Sequence, residues 1–468
     1  MIIKIENFGP IEKSEIKIKP LTLFIGPNGT GKTWTATLIA CLLSPHMWKY
    51  YSNAYAKEKL SERYEIIENA IKDLSVNGNA KIDMKNFMED YGDEYISNVA
   101  RLLPKYMPKL LGSQTISFEN LHIVAELKDE KFLSLLNESS INTKIGENED
   151  GEALLKLFTQ KEDPNLYIIA RSSKELQEMP IYMIRDIIAS IVFIIIHRSF
   201  YNAIYFFPAE RTGIMQFISA INSSKLNEEE ITNKIRVSKN KNERFLSVLL
   251  NDLFHTISVA CDPQKQKRRL KQAKKNSQIM KYIDLSKILE DEILCGGIET
   301  VEKSDESIEI LFKLKDDDNV FDIPPVSSGI KDLIPLVLYL RYMAEERDLV
   351  VIDEPEMNLH PEAQIKIMEF LAMMVNSGLN VITTTHSPYL VDHISNLTKA
   401  HKLKKDGRKK LEDKFKLKND LCFIDANKVS AYLFDNNTIK NIFKEDELIE
   451  WDTFGNVSDY VSNLYFDM

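Results

Sequence analysis

Polar and apolar positions alternate from the first residues of the chain. Ile3 and Ile5, then Ile16 and Ile18, are separated by charged residues, with Gly9-Pro10 as the turn between them. That is the period of half-buried strands. Leu21 to Ile25 is instead continuously apolar, as in a strand covered on both faces. A glycine-rich loop follows, then a predicted helix from Thr33 to Leu43 that Ser44-Pro45 stops. Between Pro45 and Asn202 helical patterns cover Tyr64 to Leu74 and Met84 to Leu111, with strand-like pieces near Thr115 to Leu127 and Leu166 to Ala170. The apolar run Ile187 to Ile196 reads as a buried helix, too short to span a bilayer and flanked by Arg185, His197 and Arg198. Tyr205 to Phe207 predicts a short strand, and a polar helical segment runs from about Ile214 to Leu289. Strand patterns return at Ile308 to Leu314, Leu349 to Glu354 and Val381 to His386, and Pro361 to Val375 is an amphipathic helix. Leu421 to Met468 predicts a strand pair and a terminal helix.

This alternation predicts an α/β fold, a mixed sheet with flanking helices. Its core is expected from 1–45, 201–215 and 293–440. It is interrupted by a largely helical insertion at 46–200 and by a helical, partly basic one at 216–292, and 441–468 forms a tail.

Composition narrows the class. The chain has 468 residues, 44% hydrophobic and 28% charged, an ordinary globular balance. A net charge of -10 argues against a uniformly basic nucleic-acid binder but leaves room for local basic patches. Two such runs occur, Lys265 to Lys275 with Lys267, Arg268 and Arg269, and Lys399 to Lys418. Cys41, Cys261, Cys295 and Cys422 are far apart and form no Cys-x-x-Cys pair, so they suggest neither a zinc site nor a disulfide framework. A cytoplasmic protein without a membrane span or signal peptide is the expectation.

The chemistry begins at Gly26-Pro-Asn-Gly-Thr-Gly-Lys32-Thr33, which matches G-x-x-x-x-G-K-[ST]. Glycines let the backbone wrap a phosphate closely, so that the N–H groups of Asn28, Gly29, Thr30 and Gly31 point inward. The following helix turns its positive dipole end to the same place. Lys32 is placed to reach the β- and γ-phosphates of ATP, and Thr33 to ligate Mg²⁺.

Leu349-Val-Val-Ile-Asp353-Glu354 is an apolar strand that ends in two acids. Burying acids there is costly unless they serve a cation or a proton transfer. Asp353 is expected to hold Mg²⁺, and Glu354 to orient and polarise the attacking water. Glu356 has no required catalytic task and reads as a helix-capping or interface residue. Val381-Ile-Thr-Thr-Thr385 delivers His386, a candidate partner of the γ-phosphate or of that water. Ser327, Ser328 and Gly329 open a helical run and form a second anion site. One chain with one phosphate loop has no evident use for it, so it is expected to serve the ATP of a second copy. Arg211, in the segment Pro208 to Gly213, faces the site or makes a structural salt bridge.

The order GPNGTGKT, VSSGIK, VVIDEPEMNLHP, TTTHSP resembles the ATP-binding-cassette class that includes SMC and RecF proteins. It is most similar to RecF-like and OLD-like AAA ATPases, which the opening IKIENFGPIEKSEIKI and the segment FPAERTG also resemble. The resemblance implies an ABC-type P-loop ATPase head and a head-to-tail homodimer, or higher homo-oligomer, around two ATPs. In it Ser327, Ser328 and Gly329 would reach the γ-phosphate across the interface, and Asn358 and His360 would lie in the loop that meets the opposing copy. Val326, Ser328 and Ile330 depart from the usual Leu-Ser-Gly-Gly-Gln. No acidic cluster of the Toprim nuclease type follows the core, and no long coiled coil is present. The resemblance thus implies the ATPase subunit of an antiviral defence system of the PARIS or Septu kind, paired with a separate nuclease or toxin. Two alternatives stay open, a RecF-like DNA clamp and a slow-turnover nucleotide-gated scaffold.

Overall fold

The computed structural model describes residues 1–113, 115–127, 136, 141–147, 152–223, 247–303, 308–315, 317, 319–444, 449, 460 and 463–464. The expected terminal helix falls almost wholly outside them. The chain divides into two units. One comprises 1–4, 41–105 and 121–203, the other 5–40, 106–120 and 204–468.

The larger unit is built on a six-stranded sheet. Its order is Thr438–Asn441, Val429–Asp435, Leu21–Ile25, Asn380–Thr385, Leu349–Asp353, Ile204–Phe207. Only the first pair is antiparallel; the other four pairings are parallel. Leu21–Ile25 and Leu349–Asp353 are buried at every position, which explains their unbroken apolar character. Leu333, Val337, Met368, Phe370, Leu390 and Ile394 of the flanking helices Ser328–Tyr342, Pro361–Asn376 and Pro388–His401 join the same core as Leu23, Val350 and Val381. Because Leu21–Ile25, Asn380–Thr385, Leu349–Asp353 and Ile204–Phe207 run parallel, their carboxyl ends lie along one edge of the sheet. That edge is where open α/β sheets bind ligands.

A separate antiparallel sheet joins Gly296–Glu302, Ile308–Leu314 and Val320–Asp322. The polar helical segment resolves, where described, into Arg211–Ser223, Val248–Cys261, Pro263–Ala273 and Ser277–Ile288. Asp262 and Asn276 cap the last two with their side chains.

The smaller unit combines helices Pro45–Ala56, Glu65–Asn77 and Ile181–Phe200, and Met84–Leu110 as far as residue 105, with a four-stranded antiparallel sheet. Its strands are Asn79–Asp83, Asn142–Glu147, Ala153–Thr159 and Asn165–Ala170. The apolar run around Ile191 is the buried stretch of Ile181–Phe200, and among the described residues no helix is long and apolar enough to cross a membrane. Tyr51, Tyr55, Tyr64, Tyr95 and Phe193 form an aromatic cluster there, with the Tyr51 and Tyr64 hydroxyls 2.6 Å apart. His197 is buried beside it, its Nδ1 3.2 Å from Leu43 O and its Nε2 3.1 Å from the Tyr95 hydroxyl.

Candidate functional site

The phosphate loop leaves the buried strand Leu21–Ile25 and enters the helix Lys32–Leu43. Gly26 stands at φ +146°, and a Cβ there would come within 2.4 Å of Phe434 O, so only glycine fits. Asn28 and Gly29 are exposed, Thr30 and Gly31 half-buried. Lys32 is buried, and its Nζ donates to the carbonyls of Gly26 and Pro27 at 2.8 and 2.7 Å. Burial lowers the Lys32 pKa to about 8, opposed by the charges of Glu354, Asp353 and Glu356.

Thr33 and Asp353 are 320 positions apart in the chain, yet Thr33 Oγ1 donates to both carboxylate oxygens of Asp353, at 3.0 and 3.1 Å. The Thr384 hydroxyl also donates to Asp353. Burial raises the Asp353 pKa above its ordinary value, while these two hydroxyls hold it down. A hydroxyl and a carboxylate side by side are the hard oxygen donors that Mg²⁺ takes, and that ion usually keeps several waters and few protein ligands. The residues present therefore fit the ion.

Glu354 sits in the left-handed region at φ 48°, and its amide donates to the carbonyl and the hydroxyl of Thr384 at 3.2 and 3.1 Å. This turn aims its carboxylate at His386, whose Nε2 lies 2.9 Å from Glu354 Oε1. The contact lowers the Glu354 pKa, so the group is an ionised carboxylate at neutral pH. Glu356 caps no helix. Its Oε1 accepts from the Thr385 hydroxyl at 2.6 Å and from the His386 amide at 2.8 Å, which anchors the backbone that presents the imidazole. Its Oε2 is buried without a partner, and burial raises its pKa. The spacing of Glu356 and His386 carried no sign of this contact; only the adjacency of Leu349–Asp353 and Asn380–Thr385 reveals it.

Asn28, Gly29, Gly31, Lys32, Thr33, Glu354 and His386 line one cleft of about 500 Å³, together with Gly9, Pro10 and Trp34. A neighbouring cavity of about 710 Å³ shares Gly9 and Trp34 and is walled by Phe118, Ile116, Glu12 and Asn120. Trp34 stacks edge-on against Phe118 with ring centroids 5.7 Å apart.

Ser327, Ser328 and Gly329 do not line this cleft. Ser327 is the N-cap of Ser328–Tyr342, with Oγ accepting from the Ile330 amide, and both serines are exposed. Gly329 is buried against the loop that follows Glu356, and a Cβ on it would lie 2.8 Å from Asn358 O. Asn358, exposed and at φ 60°, donates to Asp332 at 2.8 Å. His360 is exposed and caps Pro361–Asn376 by accepting from the Glu362 amide. The serine-glycine turn and the Asn358 loop thus form one surface, apart from the phosphate loop of the same chain.

Arg211 corrects its expectation. It is 1% exposed, does not line the cleft and, among the described residues, has no carboxylate within ion-pair distance, although the charges of Asp332, Asp353, Glu356 and Glu354 act on it. Its guanidinium donates to four backbone carbonyls instead, those of Pro208, Asp332, Asp353 and Glu354, at 2.6 to 2.9 Å. Of the basic cluster, Arg269 is likewise buried, tied to Glu345 and to the Ala344 carbonyl, whereas Lys265, Lys267, Arg268, Lys271, Lys274 and Lys275 are exposed.

The family described as AAA ATPase domain matches residues 1–391. No curated protein matches. Among solved structures, the chain is similar to an Smc head domain with an extended coiled coil, bound to the C-terminal domain of ScpA and derived from Pyrococcus furiosus. The identity is 13% over 99% of this chain and 98% of that one, with a TM-score of 0.33. A second SmcHead, bound to the C-winged helix domain of ScpA, gives 13% identity over 95% and 98% with a TM-score of 0.34.

Proposed function

The chain belongs to the AAA ATPase domain family, and from that premise we propose that it hydrolyses ATP at the Lys32 cleft, in sites completed by a second copy of itself. The observation that carries the reading is Glu354, an ionised carboxylate that lines the same cleft as the phosphate loop and is held by His386. The amides of residues 28–31 and Lys32 bind the phosphates, and the adjoining cavity beside Trp34 takes the nucleoside. Thr33 and Asp353 would hold Mg²⁺, which would supply positive charge to the phosphates as negative charge develops there. Glu354 orients the attacking water and takes its proton, and His386 fixes the direction of that carboxylate.

Ser327 and Ser328, exposed at a helix start away from the cleft, and the buried Gly329 beside them serve the ATP of the opposing copy. Asn358 and His360 lie in the same contact. The test is the mass of purified Glu354→Gln protein with and without ATP and Mg²⁺. An ATP-dependent shift from monomer to dimer is expected. A monomer under both conditions would sink the shared site.

At the biological level the reading is the sensor or scaffold ATPase of an antiviral defence system, holding a separate nuclease or toxin until infection. Its support is the motif order of the sequence. Co-purification of the effector from the native operon, released on ATP hydrolysis, tests it. A DNA clamp is the second reading, favoured by the six exposed cations of 265–275, a stretch without a single acid. Lys267→Glu with Arg268→Glu should then abolish a salt-dependent affinity for duplex DNA. Arg269 is left out of that test because its side chain supports the fold.

A further inference from the structure

We infer that Arg211 is the positioning residue of Glu354, and that it fixes the catalytic acid relative to the helix Ser328–Tyr342. The inference rests on the reading of Glu354 as the group that activates water.

The geometry carries it. Glu354 adopts φ 48°, a region that costs a residue with a Cβ about 1–2 kcal/mol and persists only when the surroundings over-determine it. Its own amide is held by Thr384. The carbonyls on both sides of the turn are held by one guanidinium, which donates to Asp353 O at 2.6 Å through Nη1 and to Glu354 O at 2.8 Å through Nη2. The same group reaches Pro208 O with Nη1 and Asp332 O with Nε. Asp332 stands in the first turns of Ser328–Tyr342, a few residues beyond Ser327. Its carboxylate is bound in turn by the Thr212 hydroxyl and, at 2.8 Å, by Asn358 Nδ2. Thus one planar fork joins the carboxyl end of Leu349–Asp353 to the start of the serine-bearing helix. Its neighbour Thr212 and the exposed Asn358 fasten the helix side.

A guanidinium suits this task because its donors point in fixed directions within a plane. A lysine in its place keeps the charge and up to three donors, but not the planar spread that holds two successive carbonyls. Arg211 does not itself line the cleft and meets it only at the Glu354 carbonyl, so its positioning action passes through the Glu354 backbone.

The experiment uses the full chain with Arg211→Lys, and compares kcat for ATP hydrolysis, the Kd of a fluorescent ATP analogue and the melting temperature. The phosphate loop is untouched, so the Kd is expected to stay within about twofold, while kcat falls on the order of 10²-fold, the loss that a misplacement of about 1 Å causes. Wild-type kcat in a folded Arg211→Lys protein overturns the inference, as does a parallel loss of affinity and turnover. Should Arg211→Lys fail to fold, Thr212→Val supplies the same comparison. It removes the hydroxyl's bond to Asp332 and loosens the residue whose carbonyl anchors the guanidinium Nε, so kcat falls with Kd unchanged if the clamp holds the acid, and kcat stays at the wild-type value if it does not. Glu354→Gln is measured alongside. If that variant hydrolyses ATP at the wild-type rate, the reading of Glu354 fails. If it is inactive while Arg211→Lys keeps full kcat, only the positioning role fails.

Discussion

His386 Nε2 and Glu354 Oε1 meet at 2.9 Å although 32 positions separate them in the chain, because the strands that deliver them are parallel neighbours in register. The hydrogen bond from the imidazole is the largest cause of the lowered Glu354 pKa. A base with a lowered pKa stays ionised further into acid, so the acid limb of kcat/KM should lie below the ordinary glutamate range. His386→Ala is expected to move that limb to higher pH and to lower kcat. Glu354→Gln should lower kcat by roughly 10²–10⁴-fold while nucleotide still binds. Steady-state hydrolysis across pH, with the two variants side by side, checks both statements.

Lys32 must carry its proton to pair with phosphate. In the free protein its pKa is about 8, lowered from 10.5 mainly by burial, so ATP binding above that pH should take up a proton. Affinity should weaken as pH rises through about 8, and the trend should vanish in Lys32→Arg, whose guanidinium stays charged. Lys32→Ala should abolish binding. The sign for stability is opposite. Between about 8 and 10.5 the unfolded chain holds more of the Lys32 proton than the folded one, so the free protein gains stability as pH rises through that window. Calorimetric titration in buffers of different ionisation enthalpy measures the proton uptake.

Asp353 pairs a functional position with an energetic penalty, since burial disfavours its charge. Asp353→Asn should raise the stability of the nucleotide-free protein by about 1 kcal/mol and at the same time remove Mg²⁺-dependent hydrolysis. Thr33→Val should raise the Mg²⁺ concentration needed for half-maximal rate. Thermal melts and Mg²⁺ titrations give the two readouts. Equal stability loss in both variants would argue that the pair is structural.

Gly329→Ala should destabilise the larger unit by about 1–3 kcal/mol, because the added Cβ meets Asn358 O at 2.8 Å and Leu359 Cδ2 at 3.1 Å. Urea denaturation with an unchanged slope would show the loss is one of stability alone.

In the smaller unit, burial pulls His197 down to about 4. Below the ordinary value of 6.5 the unfolded chain binds this proton and the folded one does not, so stability present at neutral pH drains away as pH falls from about 6.5 toward 4. The full shift corresponds to about 3 kcal/mol. His197→Gln should flatten the acid dependence of unfolding followed by aromatic fluorescence.

The strands that end in chemistry were legible from an apolar run closed by an acid at Asp353 and from a β-branched run, Val381 to Thr385, that leads into His386. The helices over 65–77, 84–110 and 361–376 were legible from their period. Strand order was not, since periodicity says which faces are buried and not which strand lies alongside. Hence Glu356 under His386 was missed. Arg211 was expected to find a carboxylate or the cleft, and found four carbonyls. Nothing in FPAERTG distinguishes these outcomes. Asn142–Glu147 was overlooked because it has no apolar face and no buried position.

The sheet order also bears on how the chain is made. The strand that launches the phosphate loop, Leu21–Ile25, has as its two neighbours Asn380–Thr385 and Val429–Asp435, both synthesised more than 350 residues later. A nascent chain therefore carries its phosphate-binding sequence without either flanking strand until those later segments have been made. The loop itself closes against Phe434, so even a product halted after His386 lacks its last support. Prematurely terminated copies should for this reason be unable to occupy nucleotide. The active population is then limited to chains synthesised past Phe434.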